Sequence, residues 1–292
     1  MANSDNIIAF QGNPGAYSHL ACRHAFPDRD VLPCESFEDV FAAVELGEAS
    51  LAMMPVENSV AGRVGDVHHL MPHSSLHIVG EHFQRVEHQL LGVPGAGLDD
   101  LAAVHSHVMA LGQCRELIRE LGVKPMNHAD TAGAARDVAA QGDKAHGAIA
   151  SSLAGEIYGL DTLKTNIEDA EHNHTRFLIL ARDAVDPNPE DGTIVTSILF
   201  RVRSVPAALY KALGGFATNG VNLTRLESYM IGGAFVAAQF YLDAEGHPDD
   251  RPMHLALEEL RFFAREVRVL GVYNAHPYRK ESERLAALNG DL

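Results

Sequence analysis

Apolar and polar positions along the first 180 residues switch repeatedly between the period of a buried strand and that of a helix. "NIIAFQG" reads as a strand, and "NPGAYSHLACRHAF" as a glycine-containing turn that opens a helix. "SFEDVFAAVELGEA" predicts the next helix, with Ser36 as N-cap and Asp39 three residues on, a polar variant of the capping box; the buried strand "SLAMMPV" follows. The alternation continues through "LHIVGEHF", "EHQLLGV" and "AAVHSHVMALGQCRELIRELG", the last starting as a strand and becoming a helix. "DTAGAARDVAAQG" predicts a helix capped by Asp130 or Thr131, "HGAIASSLAGEIYGL" a strand turning into a helix, and "TRFLILARD" a closing strand. This is α/β order, in which ligands collect at the carboxyl ends of the strands.

Beyond Arg182 the pattern changes. "DAVDPNPEDG", residues 183–192, is acidic and proline-bearing and reads as a linker. "TIVTSILFRV" then predicts a strand, "SVPAALYKALGGFATNG" a helix, "VNLTRLESYMI" and "GAFVAAQFYLDA" two strands, "DRPMHLALEELRFFARE" a helix and "VRVLGVYNA" a strand. That βαββαβ order within 193–280 is the ferredoxin-like split unit, a separate small domain. The polar tail, 281–292, is expected to fray or form a short helix.

Composition narrows the function. Apolar residues make up 46% and charged residues 21% of the 292, an ordinary globular balance, and no apolar run is long enough to span a bilayer. "MANSDNIIAFQG" lacks a basic stretch followed by an apolar core, so the cytoplasm is the expected location. A formal net charge of −16 argues against nucleic acid or an anionic membrane as partner, because phosphate binding needs clustered Lys and Arg. The three cysteines are scattered and form no C-x-x-C; the 17 histidines, including His68-His69 and His172-x-His174, lack the spacing of a metal site. No metal and no nucleotide cofactor is therefore expected.

Four strand ends carry polar groups. Glu57, Asn58 and Ser59 emerge directly from an apolar strand and read either as a turn with a helix N-cap or as ligand contacts. Ser106, expected at a strand-to-helix junction, and Gln113, seven residues on, can point from one helical face, with small Ala110 between them. "NPGAYSH" and "DTAGAA", the latter holding Thr131 and Ala132, are small-residue turns where backbone N–H groups can meet an anion. In "EDAEHNHTRFLIL" a strand opens with Thr175 and Arg176; a buried guanidinium there requires a carboxylate or phosphate, whereas one on an edge would simply face water.

"TRF" at 175–177, "PVENS" at 55–59, "SH" and "QC" at 106–107 and 113–114, "DTAGAA" at 130–135 and "AIASSLAGEIYGL" at 148–160, followed by a βαββαβ domain, resemble prephenate dehydratase with a C-terminal ACT regulatory domain. The resemblance runs in order from "AFQGNPGAYSH" to "VLGVYNAHP", and starts early enough to imply a monofunctional enzyme. It implies a catalytic domain over 1–182, with two lobes like those of periplasmic binding proteins and crossings near 80–90 and 165–175. It implies conversion of prephenate to phenylpyruvate, carbon dioxide and water without a cofactor. Thr175 would serve the leaving hydroxyl and Arg176 anchor a carboxylate. Asn58, Ser59, Ser106 and Gln113 would complete a polar wall, with Phe177, Thr131 and Ala132 also at the substrate. Glu57 would orient these groups, or supply the proton if its pKa is raised.

The resemblance further implies L-phenylalanine as effector of a homodimer or homotetramer, bound near Ala208, Leu209, Asn222, Leu223, Glu227 and Ser228. Here the chain departs from the family pattern: "GAL" appears as Ala207-Ala208-Leu209 and "ESRP" as Glu227-Ser228-Tyr229-Met230. Glycine, arginine and proline are thus missing from their expected places in the effector region. Two alternatives stay open: arogenate dehydratase, which performs the same chemistry on an amino acid, and a non-enzymatic two-lobed binding protein.

Overall fold

Why the first 180 residues divide into two sheets is visible in the order in which strands pair. The computed structural model describes residues 4–170, 172–203, 205–230 and 237–289. Glu171, Ser204, Ile231, the start of the expected strand "GAFVAAQFYLDA" at 233–236, and the last three tail residues lie outside the described residues. The chain runs through β1 (Ile7–Gln11), α1 (Tyr17–Ala25), β2 (Asp30–Cys34), α2 (Phe37–Glu45), β3 (Leu51–Asn58), β4 (Gly62–Arg63), α3 (Gly65–Leu70) and β5 (His77–Arg85). It continues with β6 (Gln89–Gly92), β7 (Ala103–His107), α4 (Val108–Gln113), α5 (Arg115–Leu121), β8 (Lys124–His128), α6 (Thr131–Gln141), β9 (His146–Ala150), α7 (Ser152–Tyr158), β10 (Asp161–Lys164) and β11 (His174–Ala181).

The first sheet has the order β2-β1-β3-β11-β5, with β4 hairpinned onto β3; the second has the order β10-β6-β9-β7-β8. So the chain leaves the first sheet after Arg85, builds the whole of the second, and returns at His174 to place β11 beside β3. Each sheet with its helices is one lobe, giving the two-lobed α/β architecture of periplasmic-binding-protein-like folds. The crossings are tied to each other: Val86 N–H donates to Asn173 O at 2.8 Å, and Ile167 N–H to His88 O at 3.0 Å.

Local chemistry explains the elements. Ser36 Oγ accepts from Asp39 N–H while the Asp39 carboxylate accepts from Ser36 N–H, so the capping box forms as expected. Asp130, rather than Thr131, caps α6. Phe10, Met53 and Met54 are fully buried in the first lobe, each contributing about 1.5–3 kcal/mol. The second lobe has a cluster on either side of its sheet, one around Leu90, Val104 and Ile149 and the other around Leu91, Ala148 and Ala154. Gly15 approaches the other lobe closely: it sits at φ +91°, and a Cβ there would lie 2.7 Å from Ala154 Cα. Ser151 Oγ donates to Gly15 O at 2.5 Å and Tyr158 Oη to Pro14 O at 2.8 Å, so the "NPGA" turn is docked on the second lobe's α7.

The lobes fall within one compact unit, residues up to Ser74 and His82–Leu178; Ser75–Glu81 and the chain from Ile179 onward group as another. β5 and β11 each contribute residues to both units. The second unit contains β12 (Ile194–Val202), α8 (Ala208–Thr218), β13 (Leu223–Met230), β14 (Ala237–Glu245), α9 (Arg251–Phe263), β15 (Ala264–Asn274) and α10 (Tyr278–Asn289). Its antiparallel sheet, β13-β14-β12-β15, is the ferredoxin-like βαββαβ arrangement. Phe200, Phe216, Leu242 and Leu260 form its core between sheet and helices. On the sheet, Ser197 and Tyr241 donate to the fully buried Asp243, Tyr273 Oη lies 2.9 Å from Ser197 Oγ, and Arg279 makes a two-pronged ion pair with Glu81 at 2.6 and 2.8 Å.

Candidate active site

Pairing of β3 with β11 brings "PVENS" to "NHTRF". Asn58, at the end of β3, makes four hydrogen bonds: its Oδ1 accepts from Val60 N–H at 3.0 Å and Ala61 N–H at 2.7 Å, and its Nδ2 donates to Asn173 Oδ1 at 2.8 Å and Thr175 Oγ1 at 3.0 Å. Two backbone donors on Oδ1 fix which way the amide faces. Thr175 Oγ1 thus accepts from Asn58, and its own proton is left to point elsewhere; it donates to no described residue. Ser59 fastens the same corner, with Oγ donating to His172 O at 2.7 Å and accepting from His174 N–H at 2.9 Å. The arrangement presents a half-buried hydroxyl whose oxygen is held by a rigid donor.

Period-two alternation separates the other candidates on these strands. Glu57 faces opposite to Asn58 and is paired in register with Arg63 on β4. Arg176 faces opposite to Thr175; it is buried, 4% exposed, so it is an interior guanidinium and not an edge arginine. Phe177 is buried at 1% exposure and serves the packing of β11.

In the second lobe the placement of Ser106 differs from expectation. It lies within β7, two residues before α4 begins, so it and Gln113 do not share a helical face. Its hydroxyl is wholly buried and donates to Ile149 O at 2.6 Å, cross-linking β7 to β9. Gln113, half-buried at the end of α4, does meet the crossing: its backbone O accepts from Asp169 N–H at 2.6 Å and its Oε1 lies 2.9 Å from His88 Nε2. Thr131 and Ala132 open α6, but Ala132 is fully buried in the core. The Asp130 carboxylate already holds that helix end, accepting from Gly133 N–H at 2.7 Å and Asn13 Nδ2 at 2.8 Å, which opposes a substrate carboxylate there. A cavity of about 470 Å3 lies beside these groups, lined by residues including Gln11, Asn13, Cys34, Glu35 and Asp130.

Sequence reasoning missed Asn173, His88 and Tyr17. Asn173 is 1% exposed and bridges Asn58 to the crossing. His88 is 2% exposed, with Nδ1 2.8 Å from Tyr17 Oη. Burial lowers the His88 pKa and raises that of Tyr17 well above its ordinary value. Asn173 and His88 lie in the crossings, where no periodic signal exists and only the pairing of 86–88 with 167–173 reveals them; Tyr17, at the start of α1, shows itself through its contact with His88.

In the second unit, the effector candidates Ala208, Leu209 and Leu223 pack against the core around Phe216. Asn222 Nδ2 donates to Glu245 Oε2 at 2.9 Å, Glu227 Oε1 accepts from Arg225 at 3.4 Å, and Ser228 is exposed.

Comparison with known proteins places the chain in a family. The prephenate dehydratase family profile matches residues 8–185. The chain is 54% identical over 279 residues to the bifunctional N-acyl-homoserine lactone acylase/prephenate dehydratase of Komagataeibacter europaeus, covering 96% of this chain and 99% of that one. It is 42% identical over 280 residues to the chloroplastic arogenate dehydratase/prephenate dehydratase 1 of Arabidopsis thaliana, covering 91% of this chain and 71% of that one. Among solved structures, prephenate dehydratase in complex with L-Phe from Arthrobacter aurescens superposes with a TM-score of 0.84 at 28% identity, over 92% of this chain and 89% of that one. The family model and these relatives together show that the chain belongs to the prephenate dehydratase family.

Proposed function

We propose that the protein converts prephenate to phenylpyruvate, carbon dioxide and water, and that the Asn58–Thr175 pair carries the reaction. The ring carboxylate must leave as neutral gas and the ring hydroxyl as water, while aromatisation drives the step. The site has to supply a hydrogen-bond donor to the departing hydroxyl without stabilising the ring carboxylate too well. Thr175 is the donor. Its alcohol is a poor acid, and Asn58 Nδ2 on the same oxygen favours any negative charge that develops as the proton is shared. Gln113, half-buried where the second lobe meets the crossing, is the candidate for gripping the substrate side chain, whereas Arg176 lies on the opposite face of β11 from Thr175.

Prephenate formation of phenylpyruvate, followed by absorbance, tests the reading: rapid turnover supports it, and its absence with prephenate but presence with arogenate transfers it to the amino-acid substrate. Two relatives are named for arogenate and prephenate dehydratase or for arogenate dehydratase alone, so both substrates belong in the assay. We assign the βαββαβ unit as an ACT domain that binds L-phenylalanine as feedback effector in an oligomer, supported by the family's L-Phe complex. Inhibition or activation of turnover by phenylalanine is the expected signature, and a titration showing neither binding nor a change in rate would sink it.

A second reading is favoured by the relative of 54% identity whose name includes N-acyl-homoserine lactone acylase. The hydroxyl of Ser59 is bonded to a backbone carbonyl and that of Ser106 is buried within the second-lobe sheet, so amide hydrolysis at this site would use the Thr175 hydroxyl or a water as nucleophile. Release of homoserine lactone from an N-acyl substrate, measured by mass spectrometry for the intact chain and for Thr175→Val, decides whether that activity exists and whether it shares the site.

A further inference from the structure

At the crossing between lobes, a single imidazole joins a residue from each. His88 is 2% exposed. Its Nδ1 lies 2.8 Å from Tyr17 Oη at the start of α1, and its Nε2 lies 2.9 Å from Gln113 Oε1 at the end of α4. Its backbone is fixed independently, with N–H donating to Glu168 Oε2 at 2.8 Å and O accepting from Ile167 N–H at 3.0 Å. The rings of Tyr17 and His88 meet edge to face with centroids 5.5 Å apart.

Counting protons along this chain gives its consequence. Gln113 Oε1 can only accept, so His88 Nε2 carries a proton and donates to it. In the neutral imidazole Nδ1 is then bare and accepts from Tyr17 Oη. The Gln113 amide nitrogen is turned away from the ring, and it makes no hydrogen bond to a described residue. The opposite arrangement is also self-consistent. Tyr17 Oη can donate instead to Glu87 O, 3.0 Å away. His88 would then carry its proton on Nδ1, Nε2 would accept from a rotated Gln113 amide, and Gln113 would present a carbonyl oxygen outward. The first arrangement offers an N–H to a carboxylate or carbonyl; the second offers only an acceptor, which repels one.

We infer that His88 is a positioning residue which, backed by Tyr17, sets the face of the Gln113 amide so that an N–H donor and not a carbonyl is presented to the anionic substrate. The inference deepens the dehydratase reading and rests on it for the identity of the ligand. Because Tyr17 and Gln113 come from different lobes, the donor is correctly oriented only when α1, the crossing and α4 are in register.

Two measurements test it. In protein labelled with nitrogen-15 at histidine, long-range nitrogen–proton correlation reports the tautomer of His88 directly, whatever the activity. The Nε2–H form is expected, and the Nδ1–H form would overturn the inference. Steady-state kinetics on prephenate and arogenate then supply a double-mutant cycle. His88→Leu should lower kcat/KM by about 10-fold or more, the scale of one hydrogen bond lost from the transition state. Made in Gln113→Ala, the same change should cost less than about 2-fold, because the residue it acts through is gone. Tyr17→Phe leaves the imidazole in place but frees Nδ1 to carry the proton, and should lower kcat/KM in the native background alone. Losses that add fully in the Gln113→Ala background would show a purely structural role. Thermal melts of each variant identify failure to fold, in which case Tyr17→Phe and the tautomer decide the matter. If the intact chain turns over neither substrate, the dehydratase reading fails while the tautomer still reports on His88.

Discussion

At the scale of single residues, the site reduces to a hydroxyl whose oxygen is already taken. Thr175→Val removes the donor but keeps the shape of the strand, so kcat should fall by about 10²–10³ with a smaller change in KM, as for loss of one oxyanion-type donor. Asn58→Asp is the sharper probe. Its carboxylate still accepts from Val60 and Ala61 N–H, so the turn persists, but it can donate neither to Thr175 Oγ1 nor to Asn173 Oδ1. Turnover should fall by about 10²-fold while the circular dichroism spectrum is unchanged. Thr175 and Asn58 were legible because each breaks an apolar run with a polar side chain at a strand end. Ser106 looked equivalent by the same rule, yet its hydroxyl is spent inside the sheet on Ile149 O. Sequence pattern places a residue at a strand end but does not say which way the last side chain turns.

Among elements, strands read best where both faces are covered. Of those the pattern passed over, β2, β8 and β10 each lie at an edge of their sheet, and their residues are mostly half or fully exposed. Pro33 and Pro125 sit in two of them, which an edge tolerates because one row of N–H groups has no partner to lose. The βαββαβ unit was legible as an order of elements, whereas the strain at the start of α8 was not. Ala207 caps that helix at φ 59° and ψ 25°, the left-handed region. An L-residue there costs about 1–2 kcal/mol, against about 0.4–1 kcal/mol for the added freedom of an unfolded glycine. Ala207→Gly should therefore raise the urea stability of the chain by about 0.5–1 kcal/mol. At Gly15 both terms run the other way. Gly15→Ala meets a positive φ and the Ala154 backbone at once, and should lower the melting temperature and turnover together.

For the whole molecule, charge and protonation set the working range. His19, His88, His105 and His276 all have pKa values lowered, each chiefly by burial. A histidine whose folded pKa is below that of the unfolded chain binds its proton more readily when unfolded. Stability is then whole above about pH 6.5 and falls as the pH drops below it toward the folded values. Urea midpoints measured at pH 7.5 and 5.5 should be lower at 5.5, and His88→Gln should reduce the difference. The chain path has a further consequence, in the order of assembly during synthesis. The second lobe is one continuous stretch, from Val86 to Asn173, with its two ends hydrogen-bonded together. The first lobe is not, since β11 lies between β3 and β5 and emerges only after the second lobe is complete. On the ribosome the inserted lobe can finish folding while β3 still shows a bare apolar edge, and a chain halted before His174 would carry a sticky half-sheet beside a native domain. The strand that delivers Thr175 is thus also the one that closes the last gap in the nascent fold.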